Sequence, residues 1–450
     1  MSITFLLEQF ENNSNQEAMI WNGESYNYAH LHKTTLTYLT WLKNSPIKKG
    51  SVVELCSDFS PATIALLLAL IQHQCILILT TSSSKEEQKH PLQLTEVEFC
   101  IQLDEHDNFF LIDKVTKTKH PLITQLRELQ VPGLILFSSG STGNPKGVVH
   151  NFAKLLEKFK KPRIAKKTIC FLLFDHIGGL NTLLQTLSNG GCVITVKNRT
   201  PQHICYCIEQ YKAQALPTTP TFINLFLLSA AHTQYDLSSL EIVTYSAEPM
   251  SESVLTRFNQ LFPQIRLSQN YGLSEVGILN TKSKSSNSLY MKIEGENYQT
   301  RIINGMLEIK AESAMLGYLN AESPFTEDGW FKTEDKVTVE GDYLRILGRV
   351  SEIINVGGKK VYPSEIENVI RMMNGVLDVV VVSEPNQILG QIVKARIVLD
   401  DSINNIKYFH REIKEFCKNK LAPYKIPQKI EISKKFFHNE RFKNVRKVTN

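Results

Sequence analysis

The sequence predicts an α/β protein with a large N-terminal domain and a small C-terminal α+β domain. Strand-like apolar runs alternate with helix-length segments along most of the chain, which is typical of βαβ units and parallel sheets. After the polar, serine-rich segment 282–288 this alternation gives way to short strands of alternating polarity. From Gly348 onward a new series of strands and helices begins, of a size suited to a small domain. We therefore expect one domain at 1–348 and a second at 349–450.

The individual elements follow from the apolar runs and their polar boundaries. Short runs predict strands, and longer segments predict helices. The predicted strands are 51–56, 76–80, 134–137, 168–174, 192–196, 242–245, 306–310, 352–355, 376–383 and 394–399. The predicted helices are 61–73, 151–161, 363–372 and 406–419.

Composition excludes several classes of protein. The chain has 450 residues, of which 42% are hydrophobic and 21% charged. These values exclude a disordered chain, a collagen-like chain and a small disulfide scaffold, and the length exceeds that of a single compact core. A formal net charge of +5 argues by itself neither for nor against nucleic acid, and no such partner is expected.

The eight cysteines are interpreted as buried free thiols. Most lie in apolar runs, and the one close pair, Cys205 and Cys207, lacks the spacing of a thioredoxin-like or zinc site. Free thiols without disulfide or metal-site spacing fit a reducing, cytoplasmic compartment. The N-terminus has no basic start, so it does not resemble a signal peptide. The apolar segment 65–79 is interrupted at 72–74, so no transmembrane helix is expected.

A glycine-rich loop is the most informative segment. The predicted strand 134–137 runs into Ser138, Ser139, Gly140, Ser141, Thr142, Gly143, Asn144, Pro145 and Lys146, and a helix is expected to follow. Glycines let a backbone approach an anion, while amides, hydroxyls and a lysine can hold phosphate oxygens. The spacing differs from that of P-loop nucleotidases, so a kinase or GTPase is disfavoured.

This loop resembles the phosphate loop of the adenylate-forming superfamily, which includes acyl-CoA synthetases, adenylation domains of nonribosomal peptide synthetases and firefly luciferase. Further motifs follow in the same order. Ser246-Ala247-Glu248-Pro249 resembles the adenine-side loop, and 270–275 resembles the Tyr-Gly-x-[Ser/Thr]-Glu motif. The resemblance implies nucleotide contacts from Asn270, Tyr271, Gly272 and Ser274. Tyr271 offers an aromatic face to a purine, and Glu275 offers an oxygen ligand to Mg²⁺.

The segment 328–335 resembles the motif Gly-Trp-x-x-Thr-Gly-Asp, with Glu334 in place of the usual glycine. Asp335 is then expected to accept hydrogen bonds from the ribose hydroxyls. Gly348-Arg349 resembles the hinge dipeptide of the family, which implies a mobile C-terminal domain with its hinge near 349–351 and Arg349 beside ribose and phosphate. Gly357, Gly358 and Lys359 resemble the loop that forms the thiol tunnel in CoA-forming relatives.

The end of the chain departs from the family's Pro-Lys-Thr-x-x-Gly-Lys tail. Alignment from Pro427 places Lys443 at the catalytic lysine, with Arg446 at the family's spacing and Phe442 where glycine is expected. Phenylalanine does not readily adopt glycine-only backbone conformations. Lys447 and Lys435 therefore stay open as alternative reaching cations.

The acyl pocket can be aligned in two ways. Segment 173–181 resembles Phe-His-x-x-Gly of acyl-CoA synthetases, which places His176 beside the substrate carboxylate with Gly178 and Gly179 following. It also resembles Phe-Asp-x-Ser of amino-acid adenylation domains, which would make Asp175 the anchor of a substrate ammonium. The continuation through Gly178 and Gly179 favours the first alignment.

Together these motifs imply an ATP- and Mg²⁺-dependent ligase that converts a small carboxylic acid to acyl-AMP and then to a thioester with CoA. The alternatives are an enzyme that loads an acyl or amino acid onto a carrier-protein phosphopantetheine, and a non-catalytic nucleotide-binding protein. Residues 401–450 contain 13 Lys/Arg against 5 Asp/Glu, which suits a solvated surface, the phosphates of CoA or an acidic carrier protein. The oligomeric state is left open.

Overall fold

The structure is a computed structural model that describes residues 3–81, 95, 97–113, 119–138, 145–401, 403, 406–439, 441–443 and 446. Its α-helices are α1 (Thr4–Asn12), α2 (Tyr28–Asn44), α3 (Pro61–Gln72), α4 (Pro121–Glu128), α5 (Phe152–Leu156), α6 (Ile177–Leu187), α7 (Pro201–Tyr211), α8 (Pro220–Ser229), α9 (Glu252–Leu261), α10 (Pro363–Ile370) and α11 (Ile406–Lys418).

The strands are β1 (Glu17–Trp21), β2 (Glu24–Asn27), β3 (Val52–Cys56), β4 (Ile76–Thr80), β5 (Phe99–Leu103), β6 (Phe109–Asp113), β7 (Gly133–Ser138), β8 (Lys146–Asn151), β9 (Lys167–Cys170), β10 (Cys192–Thr195), β11 (Ala215–Thr218), β12 (Ile242–Tyr245), β13 (Arg266–Gln269), β14 (Gly272–Leu273), β15 (Gly277–Ile278), β16 (Thr281–Ser283), β17 (Met291–Ile293), β18 (Tyr298–Ile303), β19 (Met306–Ala311), β20 (Gly317–Tyr318), β21 (Phe331–Glu340), β22 (Tyr343–Arg349), β23 (Ile354–Val356), β24 (Lys359–Val361), β25 (Val376–Asn386), β26 (Gly390–Leu399) and β27 (Lys429–Ser433).

Among the described residues, two sheets of seven strands form the centre of the large domain. One has the order β13-β12-β11-β9-β10-β1-β2 and the other β20-β8-β7-β4-β3-β5-β6. Helices α3 and α6 lie in one apolar cluster that includes strand residues of both sheets, such as Leu77 and Val193. Helix α3 is buried from Pro61 to Ile71, which explains why its sequence is apolar on all sides. The two sheets therefore share a helical layer as their common core.

Two smaller sheets complete the fold. Strands β16-β17-β22-β21-β19-β18 form an antiparallel sheet that ends at Arg349. Strands β24-β23-β26-β25, with β27 paired to β26, form the sheet of the C-terminal segment and have their own apolar core with α10 and α11. The mixed α/β architecture confirms the predicted fold class, while the boundary at 348/349 stays a prediction.

The region after the glycine-rich loop differs from expectation. A strand, β8, begins at Lys146 where a helix was predicted to follow the loop. It pairs antiparallel with β7, so the two strands form a hairpin and no helical crossover connects them. The consecutive valines 148 and 149 are both buried in this sheet, and β-branched residues favour strands. The helix predicted at 151–161 is reduced to α5 and a 3₁₀ turn at Glu157–Lys160.

Several other boundaries differ from the predicted ones, including those of β25, β26 and α10, and two more lie near the functional site. Strand β9 ends at Cys170, four residues before its predicted end, because the chain turns there toward the start of α6. The strand predicted at 352–355 begins only at Ile354, since Val350–Glu352 forms a 3₁₀ turn. Both changes lie where the chain approaches the functional site described below.

All eight cysteines are free and buried, as predicted. Within the described part of the chain, no helix is both long and apolar enough to cross a bilayer.

Candidate active site

A cleft of about 1050 Å³ brings together residues from distant parts of the chain. Its walls include Ser138, Lys146, His176, Ser246, Ala247, Gly272, Ser274, Glu275, Tyr318, Thr333, Glu334, Arg349, Arg441 and Lys443. Lysine and arginine side chains thus reach it from both the large domain and the C-terminal segment. A concave site of this size and positive charge suits a phosphorylated ligand.

The C-terminal segment reaches the cleft through a tight turn at 439–443. The side-chain oxygen of Asn439 accepts hydrogen bonds from the backbone N–H groups of Arg441, at 3.0 Å, and Lys443, at 3.1 Å. The backbone N–H of Phe442 also donates to the Asn439 carbonyl, at 2.9 Å. This turn fixes the direction in which Lys443 leaves the backbone. Lys435 is exposed instead, and Lys447 lies outside the described residues.

Phe442 holds this turn against the large domain. Its φ is +50°, in the left-handed region that glycine adopts more readily. Its ring contacts those of Phe171 and Phe222, with centroid distances of 5.2 and 5.4 Å. Its carbonyl accepts a hydrogen bond of 2.8 Å from the hydroxyl of Thr219, the N-cap of α8. The ring therefore supplies contacts that a glycine at this position would lack.

Burial lowers the pKa of Lys443 to about 8, and the positive charges of Arg441 and Arg349 act in the same direction. Glu248 and Glu275 oppose this effect. An anionic ligand would remove the repulsion among these cations, so Lys443 is in a suitable position to bind phosphate oxygens.

His176 is the N-cap of α6 and also lines the cleft. Its Nδ1 accepts a hydrogen bond of 3.1 Å from the backbone N–H of Gly178. Burial lowers the pKa of the imidazole well below its usual value, assisted by the charges of Lys443 and Arg441. A neutral ring whose Nδ1 is an acceptor carries its proton on Nε2, which is then the atom that can donate to a ligand.

Asp175, the alternative acyl-pocket residue, does not line the cleft. Its carboxylate is fully buried, and Oδ2 lies 3.4 Å from the guanidinium of Arg441. This contact joins the large domain to the turn at 439–443. Asp175 thus faces a cation of the protein, and its expected role as an ammonium anchor gains no support from this arrangement.

Gly179 is required by close backbone packing. A Cβ on Gly179 would lie 2.0 Å from the carbonyl oxygen of Leu173. A Cβ on Gly178 would lie 2.7 Å from Leu172 Cδ1. These two glycines therefore let α6 start directly against the preceding segment, which places His176 at the cleft.

Tyr271, Asp335 and Arg349 form a chain of polar contacts. The hydroxyl of Tyr271 donates to Asp335 Oδ2 at 2.5 Å, and Arg349 Nε donates to Asp335 Oδ1 at 3.2 Å. Burial raises the pKa of Asp335, although Arg349 opposes this rise. The ring of Tyr271 lies in the apolar core, so the structure adds a hydroxyl contact to Asp335 while purine stacking stays a prediction.

Glu334 precedes Asp335 and stands where the family motif has glycine. Its φ is +61°, in the same left-handed region as Phe442. The backbone conformation that a glycine would adopt is therefore present at both departures from the family motifs. We infer that the two substitutions preserve local backbone geometry at a small cost in strain.

Glu275 lines the cleft as the expected Mg²⁺ ligand. Its Oε1 accepts a 2.8 Å hydrogen bond from the hydroxyl of Tyr318, whose ring lies 4.9 Å from the ammonium of Lys146. Mg²⁺ is commonly held by one or two carboxylates together with substrate phosphates and waters. One oriented carboxylate in a cationic cleft fits that pattern. No cluster of three or more metal-ligating side chains occurs among the residues that the structure describes.

Sequence reasoning missed Tyr318 and Arg441. Tyr318 follows Gly317 in the two-residue strand β20, which pairs with β8 beside the phosphate loop. Arg441 precedes Lys443 by two residues, and this closeness in sequence was an available signal. Both residues make their contacts only through the tertiary fold.

The remaining predicted residues lie at the edge of the cleft or elsewhere. Glu248 accepts from the backbone N–H of Thr221 at 2.8 Å, and Asn270 is held through its backbone to Tyr245. Ser139, Gly140, Ser141, Thr142 and Gly143 lie outside the described residues.

The predicted thiol-tunnel residues do not line the cleft in this conformation. Gly357 and Gly358, with φ of +55° and +82°, form the turn between β23 and β24, and Lys359 follows on the exposed side of this hairpin. Arg446 binds Glu367 at 2.8 Å and Glu352 at 3.0 Å within the C-terminal segment. Lys443 thus lines the cleft while the hairpin lies outside it.

The fold has a large N-terminal domain and a small C-terminal domain, and Lys443 of the C-terminal segment lines a cationic cleft together with residues of the large domain. The chain belongs to the AMP-binding enzyme family: the family model matches residues 6–300, and the model for the AMP-binding enzyme C-terminal domain matches 365–443. It is an AMP-forming acid–thiol ligase of the acyl-CoA synthetase type.

Named relatives support this assignment. A 2-succinylbenzoate–CoA ligase of Listeria monocytogenes is 26% identical over 93% of each chain. A 2-succinylbenzoate–CoA ligase of Enterococcus faecalis is 24% identical over 95% of this chain and 94% of its own. A probable CoA ligase of Humulus lupulus is 28% identical over 66% of this chain.

Solved structures confirm the fold. An anthranilate CoA ligase in complex with anthranoyl-AMP has a TM-score of 0.82, with 17% identity over 99% of this chain and 95% of its own. An o-succinylbenzoate CoA synthetase of Bacillus subtilis with its acyl-adenylate has a TM-score of 0.76, with 18% identity over 98% and 96%.

Proposed function

We propose that this chain joins a small carboxylic acid to CoA in two half-reactions that share the cleft described above. In the first, an oxygen of the acid attacks the α-phosphorus of ATP, and pyrophosphate leaves. In the second, a thiol attacks the acyl carbon of acyl-AMP, and AMP leaves. The observation that carries this proposal is the position of Lys443 in a cleft that also contains His176, Glu275 and Arg349.

In the first half-reaction the protein positions the reactants and neutralises charge. Lys443 binds oxygens of the α-phosphate as negative charge develops there, and Arg349 neutralises charge while holding Asp335 toward the ribose. The Nε2–H of His176 donates to the acid carboxylate and fixes its orientation. Mg²⁺ held by Glu275 would supply charge neutralisation on the phosphates.

The second half-reaction requires a different arrangement. Lys443 must leave before a thiol can enter, and Gly357-Gly358 is the segment that the family resemblance assigns to the thiol tunnel. We propose rotation about residues 349–351, where β22 ends and a 3₁₀ turn begins. Free CoA is the proposed acceptor, and a carrier-protein phosphopantetheine is the alternative. Thiol transfer from supplied acyl-AMP, measured with each acceptor in turn, distinguishes the two. A reducing, cytoplasmic compartment is proposed from the free cysteines.

The test is acid-dependent exchange of labelled pyrophosphate into ATP with wild type and Lys443→Ala. We expect wild type to exchange with at least one acid from a panel of aryl, fatty and amino acids that includes 2-succinylbenzoate. Lys443→Ala should lose roughly a hundredfold to a thousandfold in exchange rate, as for a lost oxyanion-stabilising group. It should keep thiol transfer from supplied acyl-AMP.

Lys435→Ala is the matched control because Lys435 is exposed on the same C-terminal segment. Its exchange rate should match that of wild type. Failure of wild type to exchange with any acid would favour a non-catalytic nucleotide-binding protein. A preference for amino acids would restore Asp175 as the anchor.

A further inference from the structure

Arg441 of the C-terminal segment forms an ion pair with Asp175 of the large domain. Nη2 of Arg441 lies 3.4 Å from Oδ2 of Asp175. The Asp175 side chain is completely buried, whereas 18% of the Arg441 side chain is exposed. Asp175 immediately precedes His176, the N-cap of α6. The ion pair therefore joins the turn at 439–443 to the segment that presents His176 to the cleft.

Packing and backbone hydrogen bonds fix the place of the Asp175 carboxylate. The ring of the preceding residue, Phe174, is fully buried and packs edge-on against Phe59 at a centroid distance of 5.4 Å. The backbone N–H of His176 donates to the carbonyl of Leu173 at 3.1 Å. A carboxylate that is desolvated in a fixed place is costly unless a cation lies beside it. Docking of the turn brings Arg441 to this carboxylate, and undocking withdraws it.

The turn has two different anchors on one segment of the large domain. Phe442 packs its ring against Phe171, and Arg441 pairs with Asp175 four residues further along the chain. Apolar packing has little directional preference, whereas an ion pair requires its two charged groups to face each other. The ring therefore contributes adhesion, while the ion pair fixes how the turn lies against the segment 171–176.

The ion pair also affects the charge beside Lys443 and His176. Burial is the main cause that lowers the pKa of each of these two residues, and the positive charge of Arg441 adds to both shifts. Arg441 thus acts on the two side chains that bind reactants in the proposed first half-reaction. A carboxylate beside Arg441 offsets part of its charge, so it reduces the repulsion that opposes docking of two neighbouring cations.

We propose that Asp175 and Arg441 are positioning residues for the first half-reaction, and that their ion pair sets the balance between the docked turn and the arrangement that admits a thiol. The proposal rests on the proposed function and specifies how its two half-reactions are apportioned. While the pair is intact, Lys443 stays in the cleft. Loss of the pair therefore slows acyl-AMP formation and spares transfer of the acyl group to a thiol.

The test is a double-mutant cycle with Asp175→Asn, Arg441→Met and the double variant. Each protein is assayed for pyrophosphate exchange with the acid that wild type exchanges fastest, and for thiol transfer from the corresponding acyl-AMP. We expect either single substitution to slow exchange about tenfold, and the double variant to be no slower than the slower single one. Thiol transfer should stay within about twofold of wild type in all three variants.

Hydrogen–deuterium exchange of the turn measures docking without any ligand. The amides of Arg441, Phe442 and Lys443 are hydrogen-bonded in the turn, so their deuterium uptake reports its opening. We expect uptake about tenfold faster than in wild type for ligand-free Asp175→Asn and Arg441→Met. If Arg441 acted only by contacting a substrate phosphate, uptake in the ligand-free protein would not change.

Arg411→Met is the matched control, because Arg411 is exposed on α11 of the same C-terminal segment. It should change neither pyrophosphate exchange nor deuterium uptake. Arg441→Lys keeps a positive charge and should retain part of the wild-type exchange rate. The thermal midpoint of each variant reports whether the fold is intact. If Asp175→Asn does not fold, Arg441→Met and Arg441→Lys decide through deuterium uptake of the ligand-free protein.

Pyrophosphate exchange at the wild-type rate in both single variants would overturn the proposal. A double variant about a hundredfold slower than wild type would also overturn it, because independent contacts lose activity multiplicatively. Unchanged deuterium uptake in a folded Arg441→Met, or equal losses in both half-reactions, would have the same effect. A wild-type preference for amino acids would overturn it by making Asp175 the anchor of a substrate ammonium.

All of these results leave adenylation itself intact, because wild type would still exchange pyrophosphate. Absence of exchange with every acid would instead contradict the proposed function. Deuterium uptake would still test the ion pair in that case, since it requires no substrate.

Discussion

The hydroxyl of Tyr318 can be removed from the site without changing any other atom of its side chain. Tyr318→Phe deletes the donor to Glu275 and keeps the ring beside Lys146. We expect a freer Glu275 carboxylate, a roughly 3- to 10-fold higher Mg²⁺ requirement for pyrophosphate exchange, and about 1 kcal/mol loss in the free energy of unfolding. Titration of ATP binding with Mg²⁺ by calorimetry provides a readout independent of activity.

Tyr206→Phe is the control for this change, because Tyr206 is exposed on α7. It should alter neither quantity. An unchanged Mg²⁺ requirement in Tyr318→Phe, together with lowered stability, would assign Tyr318 a purely structural role.

The ionisation of Lys443 predicts a pH dependence for the first half-reaction. Since its pKa in the ligand-free protein is about 8, below the ordinary lysine value, the charged form is present below pH 8 and is lost above it. We therefore expect kcat/KM for ATP to fall as pH rises through about 8. Lys443→Arg should move this fall to higher pH, because a guanidinium stays charged.

The pH dependence of stability has the opposite sign to that of kcat/KM for ATP. A lysine whose pKa is lower when folded binds fewer protons in the native state between pH 8 and its ordinary value. Its contribution to stability therefore increases as pH rises through this interval. A pH profile of kcat/KM identical in wild type and Lys443→Arg would show that another group controls the fall.

At the scale of elements, two substitutions of Phe442 in the turn at 439–443 distinguish the effect of backbone strain from the effect of ring packing. Phe442→Ala removes the ring and keeps a Cβ at a left-handed φ, whereas Phe442→Gly removes both. We expect both variants to slow pyrophosphate exchange about tenfold, because the loss of a partly buried aromatic ring weakens docking of Lys443. Phe442→Gly should retain about 1 kcal/mol more docking stability than Phe442→Ala.

Limited proteolysis of the tail in the presence of ATP measures docking directly. Phe436→Ala is the control, because Phe436 is partly exposed on the same segment. Equal protection of wild type and both Phe442 variants would mean that the ring does not anchor the turn.

The sequence predicted correctly the elements whose apolar runs coincide with the residues that the fold buries. Helix α3 and strand β4 were predicted within one residue at each end because apolar runs bounded by polar residues are strong signals. Strand β8 was missed because its pairing partner, β7, lies beyond the glycine-rich loop, so its strand character depends on a tertiary hairpin. Family motifs gave candidate residues for the nucleotide cleft.

Contacts between distant motifs could not be obtained from the sequence. Lys158 lies in a segment that carries no recognised motif, and its two hydrogen bonds are to Asn181 and Ile278, which are distant in sequence. The contact between Arg441 and Asp175 likewise spans 266 residues. Such pairings require the fold to be known.

At the scale of the whole molecule, the cleft is complete only when the C-terminal turn is docked. Arg441 and Lys443 reach the cleft beside residues of the large domain, and Phe442 contacts Phe171 and Phe222 of that domain. One local segment therefore supplies two cations of the cleft and the ring that packs against the large domain. The proposed rotation for thiol transfer would separate the same contacts.

The proposed separation would add a heat-capacity term to the catalytic cycle. A fully buried aromatic side chain covers roughly 200 Å² of apolar surface, so exposure of the partly buried Phe442 ring to water raises the heat capacity by at most roughly 0.1 kcal/mol/K. The enthalpy of undocking then changes by at most about 2 kcal/mol over 20 K. The Eyring plot of thiol transfer should therefore curve in wild type and be straighter in Phe442→Gly. A single ring in the tail thus gives the transfer step a temperature dependence separate from that of bond making and breaking.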